Sequence, residues 1–331
     1  DKLDIQKKFI ELSINLAHKS LIPIDKVFSA TAIIEGQMLI DLHAENKVMN
    51  DKKEGIFKED LPGAYVESVS GYYKEFLMKD FEGLYPQQII HFNISPETLV
   101  LHPTEEQQKD LIRTPLSEEF GIWYKREEGM VPKRLKKNII ERNEFKSLMK
   151  KYKKEGNKEL SNYYDTQQAI RKIFNNSQYG VLGLEYYHYY DNNLAKSVTL
   201  GGQNIIKFIR DKMNLYFTEY FHKDPKFFKV VDEKNRLHIK ERHIIIDTDS
   251  IYITLSDIKK KLDPDSSFLD WAKKFDEDFL SPFFKKLLDK YFSQYGVENK
   301  INFKTEKIGS QIIVFGDKNY STMTLSNEGV V

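Results

Sequence analysis

The sequence contains no cysteine in 331 residues. That absence excludes disulfides, thiolate zinc sites and cysteine nucleophiles, and it is typical of a reducing cytoplasm. Long hydrophobic runs are also missing, since no apolar stretch approaches the roughly 20 residues that a membrane-spanning helix requires. No signal peptide is visible, and the chain opens with Asp1 rather than Met, which suggests a fragment. We therefore expect a cytoplasmic protein that works without a membrane.

A large net charge is missing as well, because 51 basic residues nearly balance 50 acidic ones. The total charge thus neither favours nor excludes a nucleic-acid partner. The basic residues are unevenly distributed, however, and residues 125–158 hold 13 basic and 5 acidic side chains. Such a block is typical of a solvated helix face and also of a phosphate-binding element. With 40% hydrophobic and 13% aromatic residues, the chain can build a substantial core, which excludes wholesale disorder.

Apolar periodicity divides the chain into helical and strand-like segments. Helical spacing is found over residues 1–20, 30–46, 135–154, 160–179 and 266–294, and again after Gly201-Gly202. Strand-like sequence is found at residues 62–66, 76–78, 243–246, 251–253 and 301–325, the last interrupted by a turn at 316–319. Residues 50–60 predict a loop and residues 230–239 a charged hairpin. The turn signal Gly156-Asn157 makes the two basic helices antiparallel neighbours.

The segment Asp247-Thr248-Asp249-Ser250 interrupts two runs rich in isoleucine. Carboxylates in such a half-buried place lose hydration or shift their pKa unless something compensates them. A divalent cation provides that compensation, because Mg²⁺ binds through carboxylate oxygens and substrate phosphates. The alternative is an ordinary surface turn, in which Asp and Ser are common.

A second carboxylate, Asp80, follows the apolar run of residues 76–78. An isolated Asp after a strand is usually a cap or turn residue, and it becomes informative only with a partner. Asp249 is a candidate partner, since two-metal sites need carboxylates from different strands to hold ions about 3.5–4 Å apart.

The two basic helices each present polar side chains on one face. Arg142 and Lys146 are four residues apart, and Lys172, Asn176 and Tyr179 follow the same helical spacing. Such faces suit a triphosphate clamp that also covers a base, with Arg acting as a fork and Lys as a point charge. The alternative is a pair of ordinary solvated helices.

Four segments together resemble the family B DNA polymerases. Residues 80–86 (Asp-Phe-Glu-Gly-Leu-Tyr-Pro) look like motif A, and residues 172–180 (Lys-Ile-Phe-Asn-Asn-Ser-Gln-Tyr-Gly) look like motif B. Residues 247–250 look like motif C. Residues 306–308, followed by Lys318-Asn319-Tyr320, are similar to the later palm strands with a Lys-x-Tyr signature. The segments stand in the family's order, and residues 21–24, 62–66 and 93–98 resemble replicative polymerases of large tailed phages.

The resemblance implies an α+β fold: an antiparallel-sheet polymerase palm with an inserted two-helix fingers subdomain and flanking helices. It implies four regions along the chain. These are an N-terminal helical segment and linker (1–61), the first part of the palm (62–128), the fingers (129–184) and the second part of the palm (185–331).

The resemblance also implies a role for each candidate residue. Asp80 and Asp249 would be the catalytic metal ligands, with Asp247 as a weaker auxiliary acid and Glu306 as a candidate additional acid. Asp80 and Asp249 would hold two Mg²⁺ ions, with Asp247 as the lesser ligand and Mn²⁺ as a substitute ion. The implied nucleotide-binding residues are Leu84, Tyr85, Arg142, Lys146, Lys172, Asn176 and Tyr179. Among these, Tyr85 would exclude a 2′-hydroxyl and Tyr179 would shape the base-pair pocket. Lys318 and Tyr320 would contact primer-template DNA.

Some family features are replaced or missing. Ile245-Ile246 stands where members usually have Tyr-Gly, and Gly83 and Gln87 stand where they have Ser. All metal and phosphate candidates remain, so we expect activity with DNA and dNTPs. Acidic exonuclease motifs are missing, and the sequence ends before a thumb. These absences suggest a split polymerase or an excised fragment, with other chains supplying exonuclease, thumb and sliding-clamp contacts.

The leading hypothesis is therefore template-directed DNA synthesis by two-metal nucleotidyl transfer. One alternative is a non-catalytic structural polymerase subunit. Another is a metal-dependent nuclease that uses the same carboxylates, although hydrolysis needs no clamp for a triphosphate.

Overall fold

A computed structural model describes residues 2–49, 51–52, 60, 63–117, 119–237, 239, 241–328 and 330. The loop predicted for residues 50–60 lies almost wholly outside these residues. Pro62, at the predicted start of the first strand, lies outside them as well.

The described residues form runs of helices and runs of strands. The helices are α1 (Lys2–Ser20), α2 (Ala30–Ala44), α3 (Leu84–His91), α4 (Glu105–Gln108), α5 (Met130–Lys154), α6 (Lys158–Leu182), α7 (Asn192–Leu215), α8 (Ser256–Leu262), α9 (Phe268–Phe275) and α10 (Ser281–Ser293). The strands are β1 (Val66–Ser68), β2 (Gly71–Phe81), β3 (Leu99–Val100), β4 (Leu111–Pro115), β5 (Gly121–Lys125), β6 (His243–Asp247), β7 (Ser250–Thr254), β8 (Phe303–Gly316) and β9 (Asn319–Asn327). A π-helical turn, Asp276–Leu280, joins α9 to α10.

The chain forms two compact units. The first consists of Asp1–Pro62 and Gln88–Val198, and the second of Gly63–Gln87 and Thr199–Val331. Residues 88–128 and 185–198, which the resemblance assigns to the palm, thus group with the basic helices. A compact unit is not the same as a functional subdomain, so the four predicted regions stay a prediction.

In the first unit, the predicted pair of basic helices is confirmed as α5 and α6. They are joined through Gly156, whose φ of +76° favours glycine, and an ion pair of 2.6 Å links Arg171 Nε to Glu141 Oε2. Helix α5 begins at Met130, five residues before the predicted start. Pro132 therefore lies in the first turn, where a missing N–H costs nothing because those groups have no intrahelical acceptor. Strands β3, β5 and β4 form a small antiparallel sheet in this unit.

The second unit is built on a six-stranded antiparallel sheet with the order β1-β6-β7-β2-β8-β9. Its strands are rich in isoleucine, valine and aromatic residues, which pack well on a pleated surface. One cluster of buried side chains fills a face of the sheet, consisting of Phe76, Met78, Ile244, Ile245, Tyr252, Ile312 and Val314. On the other face Phe303 stacks on Phe81, with ring centroids 4.2 Å apart, and contacts Phe284 of α10. The predicted α+β class with an antiparallel sheet is confirmed.

Two local predictions are wrong. Gly201-Gly202 does not precede a helix, because both glycines lie inside α7, which already begins at Asn192. The predicted hairpin at residues 230–239 is not formed in the described part of that range. Instead the Asp232 side chain accepts a hydrogen bond from Lys234 N and caps a short 3₁₀ turn, Glu233–Asn235. A local side-chain cap thus replaces the strand ladder that the hairpin would have needed.

Within the described ranges, none of the helices combines the length and the apolar character needed to cross a membrane.

Candidate active site

The two predicted principal acids come from neighbouring strands of the second unit. Asp80 is the penultimate residue of β2 and pairs with Ser250 of β7 on one side and Lys304 of β8 on the other. Asp249 lies in the turn between β6 and β7, and its carbonyl oxygen accepts a hydrogen bond of 2.9 Å from Phe81 N. This backbone bond joins the Asp249 turn to the residue that follows Asp80. The structure therefore brings the two residues next to each other, while their joint role as metal ligands stays a prediction.

The turn that carries Asp249 is tight and anchored on both sides. Asp247 pairs with Ser250, Asp249 N donates to Asp247 O over 2.7 Å, and Thr248 adopts a left-handed φ of +63°. Thr248 N also donates to Tyr65 O, which ties the turn to the residue before β1. The segment is a β-turn, as the alternative interpretation of the sequence predicted. Its backbone nevertheless connects β6 to β7 and is hydrogen-bonded to β2 and to the residue before β1. It can therefore present carboxylates in a defined geometry.

Burial and neighbouring negative charges raise the pKa of both acids. The pKa of Asp80 rises to about 8, first because the side chain is desolvated and then because Asp249 and Glu306 are negatively charged. The pKa of Asp249 rises to about 6, again through desolvation and then through Asp247 and Glu306. Groups of like charge that destabilise one another create a site where a cation is favourable.

Glu306, the candidate additional acid, lies in a β-bulge of β8. Met78 of β2 pairs with Lys307 of β8, whereas the next residue, Lys79, pairs with Thr305, so Glu306 is the extra residue. Bulges of this kind re-aim a side chain and are frequent beside active sites. The negative charge of Glu306 contributes to the raised pKa of both Asp80 and Asp249.

Asp247, the predicted auxiliary acid, has a cationic neighbour. Lys318, in the β8–β9 turn, places its Nζ 3.4 Å from Asp247 Oδ1. Tyr320 follows on β9, and its hydroxyl lies 3.2 Å from that of Tyr252 of β7. The two residues predicted to contact DNA thus lie beside Asp247 and the strand after it.

The residues that stand where family members usually have Tyr-Gly or Ser are explained by their local structure. Ile245 and Ile246 are fully buried, so apolar side chains fill the sheet in front of the Asp247 turn. Gly83 has a φ of +69°, a left-handed conformation that glycine adopts without steric cost. Gly83 O accepts a hydrogen bond from the backbone N of Gln87, one turn into α3.

Tyr85 lies on α3, next to the fully buried Leu84, and packs against α7. A Cβ atom built on Gly202 would lie 3.0 Å from Tyr85 Cε1 and 3.4 Å from Leu84 Cδ2. Gly202 therefore permits the close approach of the Tyr85 ring. The sequence pattern predicts a helix boundary at this glycine. Its position inside α7 is explained instead by the Tyr85 ring, which packs against it.

The remaining nucleotide-binding candidates lie in the first unit. Arg142 and Lys146 are half-buried on α5, while Lys172 and Asn176 are exposed on α6 and Tyr179 is half-buried. The shared faces predicted from the spacing follow from the helical structure of both segments.

A cation would find few protein ligands here. Among the described residues no group of three or more His, Cys, Asp or Glu side chains has the arrangement of a metal centre. This is compatible with Mg²⁺, which commonly takes one or two carboxylates and obtains its other ligands from water and substrate phosphates. The donor set of Asp80 and Asp249, with oxygen ligands only and raised pKa values, fits such an ion.

Sequence comparison identifies the chain's relatives. A family model described as DNA polymerase family B matches residues 22–329. The chain belongs to DNA polymerase family B. This family B chain is 25% identical over 319 residues to the DNA-directed DNA polymerase of Enterobacteria phage T4, covering 78% of the chain and 34% of that protein. It is 25% identical over 351 residues to the corresponding polymerase of Escherichia phage RB69, covering 87% of the chain and 36% of that relative.

Cellular polymerases are similar as well. A DNA polymerase of Pyrococcus glycovorans is 31% identical over 219 residues, covering 65% of the chain and 24% of that protein. Among solved structures, the family B DNA polymerase of Pyrobaculum calidifontis superposes with a TM-score of 0.59 at 22% identity. The match covers 98% of this chain and 36% of that one, and it confirms the fold. The chain thus spans about a third of the length of the phage relatives.

One buried ion pair beside the site is not predicted from the sequence. Lys79 immediately precedes Asp80, and its side chain is fully buried against Asp276. The signal was a single lysine within the apolar run of β2. Its partner, however, lies almost 200 residues away in the sequence, and no periodicity identifies it.

Proposed function

We propose that this family B chain carries the nucleotidyl-transfer centre of a template-directed DNA polymerase. The observation that carries the proposal is the position of Asp80 on β2 next to Asp249 in the β6–β7 turn, where the charge of Asp249 helps to raise the pKa of Asp80 to about 8. The reaction joins a dNTP to a primer 3′-hydroxyl with loss of pyrophosphate.

Asp80 and Asp249 would hold two Mg²⁺ ions, for which Mn²⁺ would substitute. The chemistry that these ions supply when bound is activation of the attacking hydroxyl and neutralisation of charge on the leaving phosphate oxygens. The protein's part is to orient two carboxylates that have lost much of their hydration. Glu306, aimed by the bulge, would adjust the charge of the site as an additional acid.

Asp247 has a lesser role in this proposal. Because Lys318 lies 3.4 Å away, part of the charge of Asp247 is already compensated within the protein. Asp247 would therefore act as an auxiliary acid, while Lys318 and Tyr320 would contact the primer-template. Phosphate contacts of this kind position the DNA without reading its sequence.

The candidates on α3, α5 and α6 would bind the incoming nucleotide, as the motif resemblance implies. Leu84 and Tyr85 would lie next to its sugar, so that a 2′-hydroxyl would collide with the tyrosine ring. In the first unit, Arg142, Lys146 and Lys172 would bind the triphosphate, supported by Asn176, and Tyr179 would shape the base-pair pocket. These roles rest on the motif resemblance together with the helical spacing.

This chain matches about a third of the length of its phage relatives. In the proposal, the rest of the polymerase lies on polypeptide outside this chain. An exonuclease, a thumb and sliding-clamp contacts would be supplied there, either by other chains or by one longer chain. Action in the cytoplasm of a bacterial host is part of the same proposal.

A primer-extension assay with Mg²⁺ and all four dNTPs tests the function and separates it from the alternatives. We expect extension by the chain, supplemented where necessary with thumb and exonuclease polypeptides, and loss of extension in Asp249→Ala. Glu298→Ala, which removes an exposed acid beyond the end of α10, is the control and should extend normally. Shortening of the primer by the chain alone would instead indicate a nuclease. Absence of both reactions in the supplemented wild type would indicate a structural subunit.

A further inference from the structure

Behind the proposed metal site, on the other face of β2, lies a buried ion pair. The Lys79 side chain is fully buried, and its Nζ lies 2.8 Å from Asp276 Oδ1. The same ammonium donates a hydrogen bond of 2.9 Å to Ser281 Oγ and lies about 6 Å from the ring centres of Phe284 and Phe303. Successive side chains of a strand point to opposite faces, so Lys79 and Asp80 occupy opposite sides of the sheet.

The other carboxylate oxygen of Asp276, Oδ2, accepts a hydrogen bond from a second strand, β8. The Thr305 hydroxyl of β8 donates a hydrogen bond of 2.6 Å to Asp276 Oδ2, while the Ser281 hydroxyl donates to Oδ1 over 3.0 Å. Lys79 and Thr305 are direct register partners in the β2–β8 pairing. A single carboxylate therefore connects both strands at one rung of the ladder.

That rung borders the bulge that contains Glu306. The register shifts between Met78 and Lys79, so the Asp276 contacts hold the first regular pair after the extra residue. The next pair in the same direction contains Asp80. A slip of one residue in β8 at this point would turn Glu306 away from the face of the sheet that carries Asp80.

The local helix geometry places the Asp276 carboxylate against the sheet. Asp276 is the first residue of the π-helical turn between α9 and α10, and Phe279 and Leu280 of the same turn are buried. π-Helical turns are rare and are often found at functional sites. Here the turn places a charged side chain under the sheet, where an α-helical face would otherwise present apolar residues.

We propose that Lys79, Asp276 and Thr305 are positioning residues that fix the β2–β8 register at the bulge and thereby hold Asp80 and Glu306 in place for metal binding. This inference rests on the proposed function of Asp80. A purely structural role is the alternative. Buried ion pairs often add little net stability compared with apolar replacements, whereas their directional bonds define one register. The two roles differ in what happens to metal affinity when the fold is retained.

The experiment measures Mn²⁺ affinity of the complete chain from the electron paramagnetic resonance signal of free Mn²⁺, without DNA or dNTP. Thr305→Val removes the hydroxyl bond to Asp276 while keeping the shape of the side chain, and we expect it to weaken Mn²⁺ binding about 3- to 10-fold. Thr305→Ser restores the hydroxyl and should bind Mn²⁺ within about twofold of wild type. Outer-sphere partners commonly change metal affinity by about 10- to 100-fold, and an indirect contact should do less.

Asp257→Asn is the control for a general loss of stability. Asp257 makes a bidentate pair with the fully buried Arg242, which precedes β6 at the end of that strand opposite Asp247. This variant should lower the unfolding temperature and leave Mn²⁺ affinity unchanged. Asp276→Asn, if it folds, should weaken Mn²⁺ binding at least as much as Thr305→Val.

The outcomes separate this inference from the proposed function. If the wild type binds Mn²⁺ through Asp249 but Thr305→Val binds it equally well, the positioning role is wrong and the metal site stands. If Asp257→Asn weakens Mn²⁺ binding as much as Thr305→Val does, the effect is general destabilisation and the inference is again wrong. If Asp249→Ala binds Mn²⁺ as tightly as wild type, the metal site itself is wrong, and the inference falls with it.

Discussion

Lys318 Nζ lies 3.4 Å from Asp247 Oδ1, whereas the other acid of the same turn, Asp249, is held next to Asp80 through the Phe81 backbone. The two acids of one four-residue segment therefore have different electrostatic surroundings. The pKa of Asp249 rises to about 6, in part through the charge of Asp247. This difference predicts unequal roles.

We expect Asp249→Asn to abolish nucleotidyl transfer and Asp247→Asn to retain a measurable fraction of it. Loss of Asp249 removes a ligand that the site cannot replace, while loss of Asp247 removes a charge that Lys318 already compensates in part. Steady-state incorporation of one dNTP measures both. Equal losses in the two variants would contradict the distinction.

The raised pKa of Asp80 predicts that this acid destabilises the metal-free protein at alkaline pH. Its folded pKa of about 8 lies above the ordinary value of 3.8. Between these values the folded state binds more protons than the unfolded state, so stability falls as pH rises from about 4 to about 8. Asp80→Asn should therefore be more stable than wild type at pH 8 in EDTA, by about 1–2 kcal/mol after allowing for solvent screening.

Thermal unfolding at pH 8 and pH 4.5 checks this prediction. The gain should nearly vanish at pH 4.5, because Asp80 is then protonated in the folded protein and its charge no longer counts. Added Mn²⁺ should raise the unfolding temperature of wild type more than that of the variant. A gain of the same size at both pH values would show that ionisation of Asp80 is not the cause.

The contact between Gly202 and Tyr85 predicts a coupled effect on sugar selection. An alanine Cβ at position 202 would lie 3.0 Å from Tyr85 Cε1, so the ring must move by a few tenths of an ångström. We expect Gly202→Ala to change the ratio of dNTP to rNTP incorporation, and Tyr85→Ala to raise rNTP incorporation. In the Tyr85→Ala background, Gly202→Ala should have little further effect. Additive effects of the two changes would contradict the proposed contact.

Gly309 on β8 predicts a purely structural effect. An alanine Cβ there would lie 2.2 Å from Phe76 Cε1 and 2.7 Å from Met323 O, and neither the packed ring nor the backbone can yield cheaply. Gly309→Ala should lower the free energy of unfolding by about 1–3 kcal/mol. Gly316→Ala on the same strand has no neighbour within 4 Å and should be within about 0.5 kcal/mol of wild type. Urea unfolding of both variants measures the difference.

The sequence predicts those features that depend on local pattern. Isoleucine-rich runs on either side of Asp247-Thr248-Asp249-Ser250 predict the hairpin, and helical spacing predicts both basic helices. Order and identity of the motifs also predict the family. These signals lie within about 25 neighbouring residues, where periodicity is informative.

Features that depend on distant contacts are not predictable in this way. The sequence pattern predicts a helix after Gly201-Gly202, whereas Gly202 lies inside α7 and permits the close approach of Tyr85. The bulge at Glu306 and the pairing of Lys79 with Asp276 arise from register and from a π-helical turn. Neither produces a periodic signal, because each is defined by residues far apart in the sequence.

The most direct test of the account is the rate at which one dNTP is added to a primer, measured across a range of Mg²⁺ concentrations for wild type and Asp249→Ala, with Glu298→Ala as the control. The account predicts Mg²⁺-dependent addition by wild type and the control. It also predicts a loss of at least about 1000-fold in Asp249→Ala, which corresponds to about 4 kcal/mol of transition-state stabilisation. Addition by Asp249→Ala at a rate near that of wild type would contradict the assignment of the metal site.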